Sequence, residues 1–256
     1  MDGDSEAERA TIAVVGVFRS GTNYLRSLLE LNYRTQVTYN AYGWKHGLVP
    51  IVTRDSIVEY PKLPIVVLAR NPFSAIEALF RYVVGAGANI TCRTDWPGFL
   101  RERFIVYDKW NPDSPQLWFP NPVHYWTAMN WNYLSVGNPG HPVCFVRYED
   151  LLADPKAETQ RIAARLNLDP LSSGEEFVDV QHRTKAMNDR ERQSPEQYTK
   201  RLRFNRRDFY LSHAYMDRFD REDRFLVEGL LDWELLERMG YSALVRQLSA
   251  RDESAT

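Results

Sequence analysis

Cysteine is scarce in this chain, and its two cysteines, Cys92 and Cys144, lie far apart in the sequence. Neither belongs to a C-x-x-C pair, so the sequence carries no zinc-binding or dithiol redox motif. We expect no bound metal. Two widely spaced thiols are typical of a reducing compartment, and we therefore expect a cytoplasmic protein.

Long apolar runs are also missing. No stretch approaches the roughly 20 apolar residues that a membrane-spanning helix needs, so we expect no transmembrane segment. Residues 1–10 are acidic and polar and lack the apolar centre of a secretory signal. We expect residues 1–10 to be disordered, residues 11–245 to form a single domain, and residues 246–256 to be a C-terminal tail.

An excess of charge of one sign is the third absence. The chain has 32 Lys and Arg residues against 34 Asp and Glu residues, a formal net charge of −2. Without a broad basic field, we expect no nucleic-acid partner, and any anion site must come from local placement of cations. The 256 residues, 44% of them hydrophobic, are enough for one large α/β domain with a well-formed core.

Apolar runs alternate with helical patterns along the chain. The runs that predict strands buried on both faces are residues 11–17, 64–69 and 142–148. The helices predicted after them are residues 22–31, 74–84 and 155–166. This alternation predicts a central, mostly parallel sheet flanked by helices, with ligands beyond the carboxyl ends of the strands. A last amphipathic helix is predicted over residues 222–239, closed by Gly240.

The loop from Gly16 to Gly21 is the most informative segment. A glycine-bounded turn between a strand and a helix directs several N–H groups and the helix dipole at one point, which suits a phosphate. The common triphosphate loop, G-x-x-x-x-G-K-[ST], continues with a Lys for the phosphates and a hydroxyl for Mg²⁺. Here Thr22 and Asn23 stand at those positions, and the cation is Arg19 inside the loop. The loop therefore favours a 5′-phosphate or phosphosulfate, with an ordinary strand–turn–helix corner as the alternative.

The run R-S-G-T-N-Y-L, residues 19–25, resembles the 5′-phosphosulfate loop of soluble, cytosolic-like or bacterial-type sulfotransferases. These enzymes use 3′-phosphoadenosine 5′-phosphosulfate (PAPS) as donor and release 3′-phosphoadenosine 5′-phosphate (PAP). The resemblance implies a three-layer, P-loop-type α/β fold. The residues that it implies for donor binding in this loop are Arg19, Ser20, Gly21, Thr22, Asn23 and Tyr24. Tyr24 is placed where relatives stack an aromatic ring on adenine.

The run V-V-L-A-R-N-P, which ends at Pro72, resembles the 3′-phosphate motif of the same family. The resemblance implies that Arg70 holds the 3′-phosphate; a surface salt bridge is the alternative for this residue. The family's serine eight residues further on is replaced by Ala78. Ser74, one helical turn earlier, is the candidate substitute.

Two further segments resemble family elements. The run R-Y-E-D-L at residues 147–151 is similar to a stretch whose tyrosine lies near the adenine, so Tyr148 is a candidate, with a structural role in the turn as the alternative. The basic cluster at 200–207 offers Arg203, Arg206 and Arg207 as a clamp on the 3′-phosphate. It lacks the family's glycine, and a solvated helix face is the alternative.

Lys45 and His46 resemble the K-x-H-L-P element of the family, although here they are adjacent. The resemblance implies that His46 is the catalytic base and that Lys45, with Arg19, stabilises the transferring group. A neutral imidazole suits proton removal near pH 7. Among the other histidines, His124 is the second choice.

Aromatic residues and prolines crowd the segment 96–133. One interpretation is an insertion packed by its own rings. The other is a wall that binds the acceptor, since ring faces receive a sugar or another flat substrate. We expect an acceptor-side insertion in which both interpretations hold for different rings.

The implied reaction is in-line transfer of a sulfuryl group from PAPS to a hydroxyl or amine of an acceptor, a small molecule, carbohydrate or glycolipid. Two alternatives remain open on the sequence. One is a P-loop nucleotide kinase, which the missing loop lysine disfavours. The other is a non-catalytic relative that binds PAP, which the departures at Ala78 and Lys45–His46 keep open.

Overall fold

The computed structural model describes residues 9–49, 63–85, 89–109, 113, 116–136, 142–171, 176–180 and 206–250. The predictions for Arg203, for residues 1–8 and for residues 251–256 lie outside the described residues. No helix in the described part is long and apolar enough to cross a bilayer.

The elements run in the following order. The strands are β1 (Ala10–Val15), β2 (Thr35–Thr38), β3 (Ile65–Ala69), β4 (Ile90–Thr91), β5 (Phe104–Val106), β6 (Leu117–Phe119) and β7 (Val143–Arg147). The helices are α1 (Thr22–Asn32), α2 (Pro72–Gly85), α3 (Trp96–Arg101), α4 (Pro122–Leu134), α5 (Tyr148–Ala153), α6 (Pro155–Leu166), α7 (Arg207–Leu211), α8 (Arg221–Leu230), α9 (Trp233–Arg238) and α10 (Ser242–Ser249). A 3₁₀ helix, Ala214–Arg218, follows α7.

The central sheet has four parallel strands in the order β2-β1-β3-β7, and helices flank it in a three-layer α/β arrangement. The three strands predicted from apolar runs are β1, β3 and β7, and every residue of β3 is buried. From β1 the chain moves outward to β2 and then returns to β3 on the other side of β1. The segments that follow β1 and β3 therefore lie side by side at the switch point of the sheet, where open α/β sheets bind ligands.

Short polar side chains cap the N-termini of two predicted helices. The Asn71 side-chain oxygen accepts from the Ser74 N–H at 3.0 Å, one residue before Pro72 starts α2. Asp154 does the same for the Ala157 N–H at 2.9 Å before α6. A capping oxygen accepts from a first-turn N–H group. Proline lacks an N–H, but at the first helical position this group has no helical acceptor, so both helix starts follow from the sequence.

The single helix predicted over residues 222–239 is wrong, because the chain breaks between α8 and α9. Asp232 has extended backbone and caps α9 through the Leu235 N–H, 3.1 Å away. Its other oxygen accepts from the Trp131 indole N–H at 2.8 Å. Gly240 ends α9 with φ +71° as predicted, and the next N–H, of Tyr241, reaches back to the Leu236 carbonyl at 2.8 Å.

Half of the described aromatic rings of the segment 96–133 are buried in the core. The segment builds α3, β5, β6 and α4, and β4, β5 and β6 form a small antiparallel sheet. The rings that are at most 1% exposed are Phe99, Phe104, Tyr125, Trp126 and Tyr133. Trp118 is the contrast, at 58% exposed. Because buried rings cannot receive a substrate, the predicted acceptor wall does not include those five.

Glu149 ties the C-terminal helices to the corner after β3. One carboxylate oxygen accepts from the Asn71 backbone N–H at 3.1 Å and from its side-chain amide at 2.7 Å. The other accepts from the Tyr241 hydroxyl at 2.7 Å. Through Glu149 of α5, Asn71 beside Arg70 is therefore linked to Tyr241, the residue before α10.

We expect Tyr241→Phe to lower the free energy of unfolding by about 1–3 kcal/mol, because one Glu149 oxygen loses its donor while the ring is kept. The measurement is urea unfolding. The control is Tyr33→Phe, since no described residue bonds the Tyr33 hydroxyl, and we expect a change within about 0.5 kcal/mol there. Equal losses in the two variants would contradict the role of Glu149.

Candidate anion-binding site

The loop of residues 16–21 requires glycine at both ends. A Cβ on Gly16 would lie 2.5 Å from the Leu68 carbonyl oxygen and from the Ser20 hydroxyl. Gly21 has φ +101°, and a Cβ there would lie 2.5 Å from the Tyr148 ring. The glycine spacing in the sequence thus reflects close backbone packing against β3 and Tyr148.

Several N–H groups of this loop have no protein acceptor. The Phe18 N–H donates to the Tyr125 hydroxyl and the Ser20 N–H to the Val17 carbonyl, each at 3.1 Å. The backbone N–H groups of Arg19, Gly21, Thr22 and Asn23, at the start of α1, have no acceptor in the described part. These donors, with the positive end of the α1 dipole, favour an anion at the start of α1.

The Ser20 side chain adds a further donor. Its hydroxyl is fully buried and has no hydrogen-bond partner among the described residues. Ser20 is available through its hydroxyl, whereas its backbone N–H is committed within the loop.

Arg19 has backbone in the left-handed region, φ +65°, which is unfavourable for a side chain of this kind. Its side chain is exposed, and its guanidinium carbon lies 5.7 Å from the centre of the Tyr82 ring. Desolvation by the surrounding protein, followed by the charge of Arg70, lowers the pKa of Arg19. The like charges of Arg19 in the loop and Arg70 after β3 therefore favour an anion nearby.

Arg70 is 2% exposed and is held on several sides. Its Nε donates to the Ser74 hydroxyl at 2.6 Å, and its Nη1 donates to the Arg19 carbonyl at 2.7 Å. Its guanidinium carbon lies 4.5 Å from the Tyr148 ring centre and 4.0 Å from that of Tyr210. The remaining nitrogen, Nη2, is buried without a partner in the described part.

This environment excludes the alternative of a surface salt bridge for Arg70, since the side chain is buried and pairs with no described carboxylate. An orphaned buried donor on a cation is costly, so an anion is the natural partner of Nη2. Ser74 accepts from Arg70 and thereby orients it. Ala78, the position that departs from the family pattern, is buried one turn further along α2.

Tyr148 stands at the start of α5 with its ring between Gly21 and Arg70. Tyr148 packs the loop against the corner after β3, in agreement with a structural role in the turn. Its contact with adenine stays a prediction.

The turn after β2 brings Lys45 and His46 to the loop. The Gly16 N–H donates to the Lys45 carbonyl at 3.2 Å, and His46 Nδ1 lies 2.8 Å from the Gly16 carbonyl. Because a carbonyl only accepts, Nδ1 carries the proton. The His46 ring stacks on Phe18 at 4.2 Å, and burial, followed by the charge of Lys45, holds its pKa well below the usual value.

Lys45 is 9% exposed and donates to the Asn23 side-chain oxygen at 2.7 Å. Its ammonium lies 3.6 Å from the centre of the Tyr39 ring, and the Tyr39 hydroxyl donates to the same Asn23 oxygen at 2.9 Å. Burial, then the charges of Arg26 and Arg19, lowers the pKa of Lys45 to about 7. The loop lacks its usual lysine, and Lys45 supplies a cation from a neighbouring turn.

The described part of the basic cluster does not reach Arg70. Arg207 pairs with Asp179 at 3.6 Å and donates to the Ala153 carbonyl at 2.7 Å. The guanidinium of Arg206 lies over the Phe209 ring at 5.7 Å. The Asp179 carboxylate also accepts from the Tyr24 hydroxyl at 3.2 Å, so Arg207 belongs to the surroundings of Tyr24.

Sequence reasoning missed Tyr210 and Arg81. The ring of Tyr210 covers Arg70, and the Arg81 Nη2 donates to the Tyr210 hydroxyl at 2.5 Å. The signal for Arg81 was available, since it lies two helical turns after Ser74 and so on the same face of α2. Tyr210 carried no signal, because only the packing of α7 brings it to β3.

His124, the second choice for the base, lies in the first turn of α4. Its Nδ1 is 2.9 Å from the Asn121 side-chain oxygen, which caps the start of α4. In the part of the chain that the structure describes, no group of three or more His, Cys, Asp or Glu side chains is arranged to hold a metal ion.

The chain matches no protein-family model, no curated protein and no solved structure.

We expect Gly21→Ala to lower the free energy of unfolding by about 1–3 kcal/mol, because the new methyl meets the Tyr148 ring at a backbone angle that favours glycine. Thermal or urea unfolding measures the loss. Gly229→Ala is the matched control: it lies within α8 with open space around it, and we expect unchanged or higher stability. A Gly21→Ala protein as stable as wild type would contradict the close packing of the loop.

The pKa of Lys45 generates a pH dependence of stability. Because the folded pKa is about 7 against a usual value of 10.5, the unfolded chain binds more protons between these limits. The free energy of unfolding therefore gains a contribution that rises with pH from about 7 upward. Urea unfolding at pH 7 and 9 should give a smaller rise for Lys45→Met than for wild type. The exposed Lys156→Met is the control, and identical slopes for Lys45→Met and wild type would overturn the assignment.

Proposed function

We propose that the chain is a P-loop-type sulfotransferase that uses PAPS as sulfuryl donor. The observation that carries the proposal is the buried Arg70, which bonds the loop through the Arg19 carbonyl and keeps Nη2 unpaired. Orphan donors thus lie both in the loop and behind it. Two neighbouring but separate anion sites suit a nucleotide with phosphates on two ribose positions better than a single triphosphate chain.

The surroundings of Asn23 argue against a kinase. In a triphosphate loop, the residue at this position supplies a hydroxyl to Mg²⁺. Here the Asn23 side-chain oxygen already accepts from the Lys45 ammonium and the Tyr39 hydroxyl. A cation of the protein thus occupies the ligand that a nucleotide-bound Mg²⁺ would use.

The roles of the loop residues follow from their donors. The N–H groups of Gly21 and Thr22 and the Ser20 hydroxyl hold the 5′-phosphate. Arg19 and Lys45 neutralise the charge that grows on the bridging oxygen as the sulfuryl group leaves. Donors that are fixed before the reaction need not reorganise as the charge develops. Such preorganisation is the main source of electrostatic catalysis.

His46 is the base in this proposal. Its Nδ1 proton is held by the Gly16 carbonyl, so Nε2 carries the lone pair, and no described residue bonds Nε2. The lowered pKa keeps the ring neutral near pH 7. Nε2 therefore accepts the proton from the acceptor's hydroxyl or amine as it attacks the sulfur in line.

The acceptor binds beside His46. The rings of Phe18, Trp44 and Tyr82 surround this face of the loop, with the ring centres of Trp44 and Tyr82 at 5.1 and 5.7 Å from that of Phe18. Trp44 and Tyr82 are only partly buried. Partly exposed ring faces suit the apolar face of a sugar, so a carbohydrate or glycolipid is the acceptor class. Both cysteines are free thiols, in keeping with a cytoplasmic setting.

We expect wild type to bind PAP without Mg²⁺ and to bind ATP far more weakly in calorimetric titrations. Arg70→Gln should lower PAP affinity by about ten- to a hundredfold, since a buried hydrogen bond to a charged group is lost. Arg93→Gln removes an exposed ion pair and serves as the control.

Equal affinity of Arg70→Gln and wild type for PAP would contradict the assignment of Arg70. ATP with Mg²⁺ binding better than PAP would overturn the donor and favour the kinase.

A further inference from the structure

The Tyr210 ring lies against Arg70, and Arg81 contacts the Tyr210 hydroxyl. Tyr210, 6% exposed, belongs to α7, and Arg81 belongs to α2, so three separate parts of the chain meet here. The Tyr210 ring covers the Arg70 guanidinium at 4.0 Å, and its hydroxyl oxygen accepts from the Arg81 Nη2 at 2.5 Å. One phenol oxygen thus lies beside two guanidinium groups.

Glu77 fixes Arg81 in this position. It is 2% exposed, and its carboxylate forms an ion pair with the Arg81 Nε at 2.5 Å. The pair joins residues one helical turn apart on α2, and it leaves the Nη2 end of Arg81 for Tyr210. Arg81 therefore acts through Tyr210, as a positioning residue.

Two buried donors, the Tyr210 hydroxyl and the Arg70 Nη2, have no acceptor among the described residues. The Tyr210 oxygen is occupied by Arg81, and no described residue accepts the Tyr210 proton. The Arg70 Nη2 is also buried and unpaired. Buried donors of this kind need acceptors, and a group with several terminal oxygens and negative charge satisfies both at once.

The charges of the two arginines also act on the pKa of Tyr210. Burial by itself raises the pKa of Tyr210, but the positive charges of Arg70 and Arg81 outweigh burial and lower it. Arg70 and Arg81 also both lower the pKa of Arg19. Positive charge is therefore concentrated around Tyr210, although the chain as a whole is slightly negative.

We propose that Tyr210, positioned by Arg81, completes with Arg70 a subsite for a phosphate monoester and decides its selectivity. The Tyr210 O–H and the Arg70 Nη2 donate to terminal oxygens of the phosphate. The inference rests on the proposed function, in which this phosphate is the 3′-phosphate of PAPS and PAP. Tyr210 and Arg81 then separate nucleotides that carry a 3′-phosphate from those that do not.

The test compares PAP with adenosine 5′-monophosphate, which lacks the 3′-phosphate, by calorimetry without Mg²⁺. We expect wild type to prefer PAP, and Tyr210→Phe to weaken PAP by about tenfold or more, because one donor to a charged group is lost. The same variant should change the affinity for adenosine 5′-monophosphate by less than about twofold. Arg81→Gln should act in the same direction on PAP alone.

Two matched controls accompany these variants. Tyr42→Phe removes a buried hydroxyl that bonds the Leu63 backbone far from Arg70. Arg218→Gln removes the other arginine near Glu77, 3.8 Å away, which does not bond Tyr210. Both should keep the wild-type preference for PAP. Thermal unfolding identifies variants that fail to fold. If Arg81→Gln does not fold, the result for Tyr210→Phe, which keeps the ring, decides the proposal alone.

The outcomes separate the two proposals. If Tyr210→Phe weakens both nucleotides by the same factor, or neither, the subsite is overturned while PAP binding by wild type leaves the proposed function standing. If wild type does not bind PAP, the proposed function is overturned, and the inference that rests on it falls too.

Discussion

The hydrogen bond from the buried Arg70 guanidinium to the Arg19 carbonyl is the contact on which the site depends. It joins the corner after β3 to the loop after β1 at 2.7 Å, across the switch point of the sheet. A buried cation must be satisfied by its surroundings, and here Ser74, two tyrosine rings and the loop backbone do so in part. These groups leave the Arg70 Nη2 without an acceptor, and an anion would accept its hydrogen bond.

The positive charge at the site comes from a few arginines and a lysine placed close together, because the chain as a whole carries no excess of positive charge. Arg19, Arg70 and Arg81 converge in a chain whose net charge is −2, and Lys45 approaches the same loop from another strand. The carboxylates nearby are held in fixed pairs, Glu77 with Arg81 and Glu149 with Asn71 and Tyr241. These carboxylates therefore orient Arg81 and the corner after β3 and form no ion pair with Arg70 in the described part.

Sequence reasoning succeeded where a signal is local. The strand β3 follows from a continuous apolar run, and α6 begins at Pro155 because Asp154 caps it. It failed in the region of residues 222–239, where apolar spacing continues through Asp232 although that residue starts a new helix. Periodicity records which face is apolar, and it does not record a break that a capping carboxylate makes.

The sequence by itself determined the parallel sheet, the glycine-bounded loop and the arginine at the end of β3, because each depends on residues close together in the chain. Only the tertiary structure decided which residues complete the site. Folding pairs Arg207 with Asp179 and brings Tyr210 to Arg70, and it commits Asn23 to Lys45. The physical reason is that these contacts join distant segments, whose meeting depends on how the helices pack on the sheet.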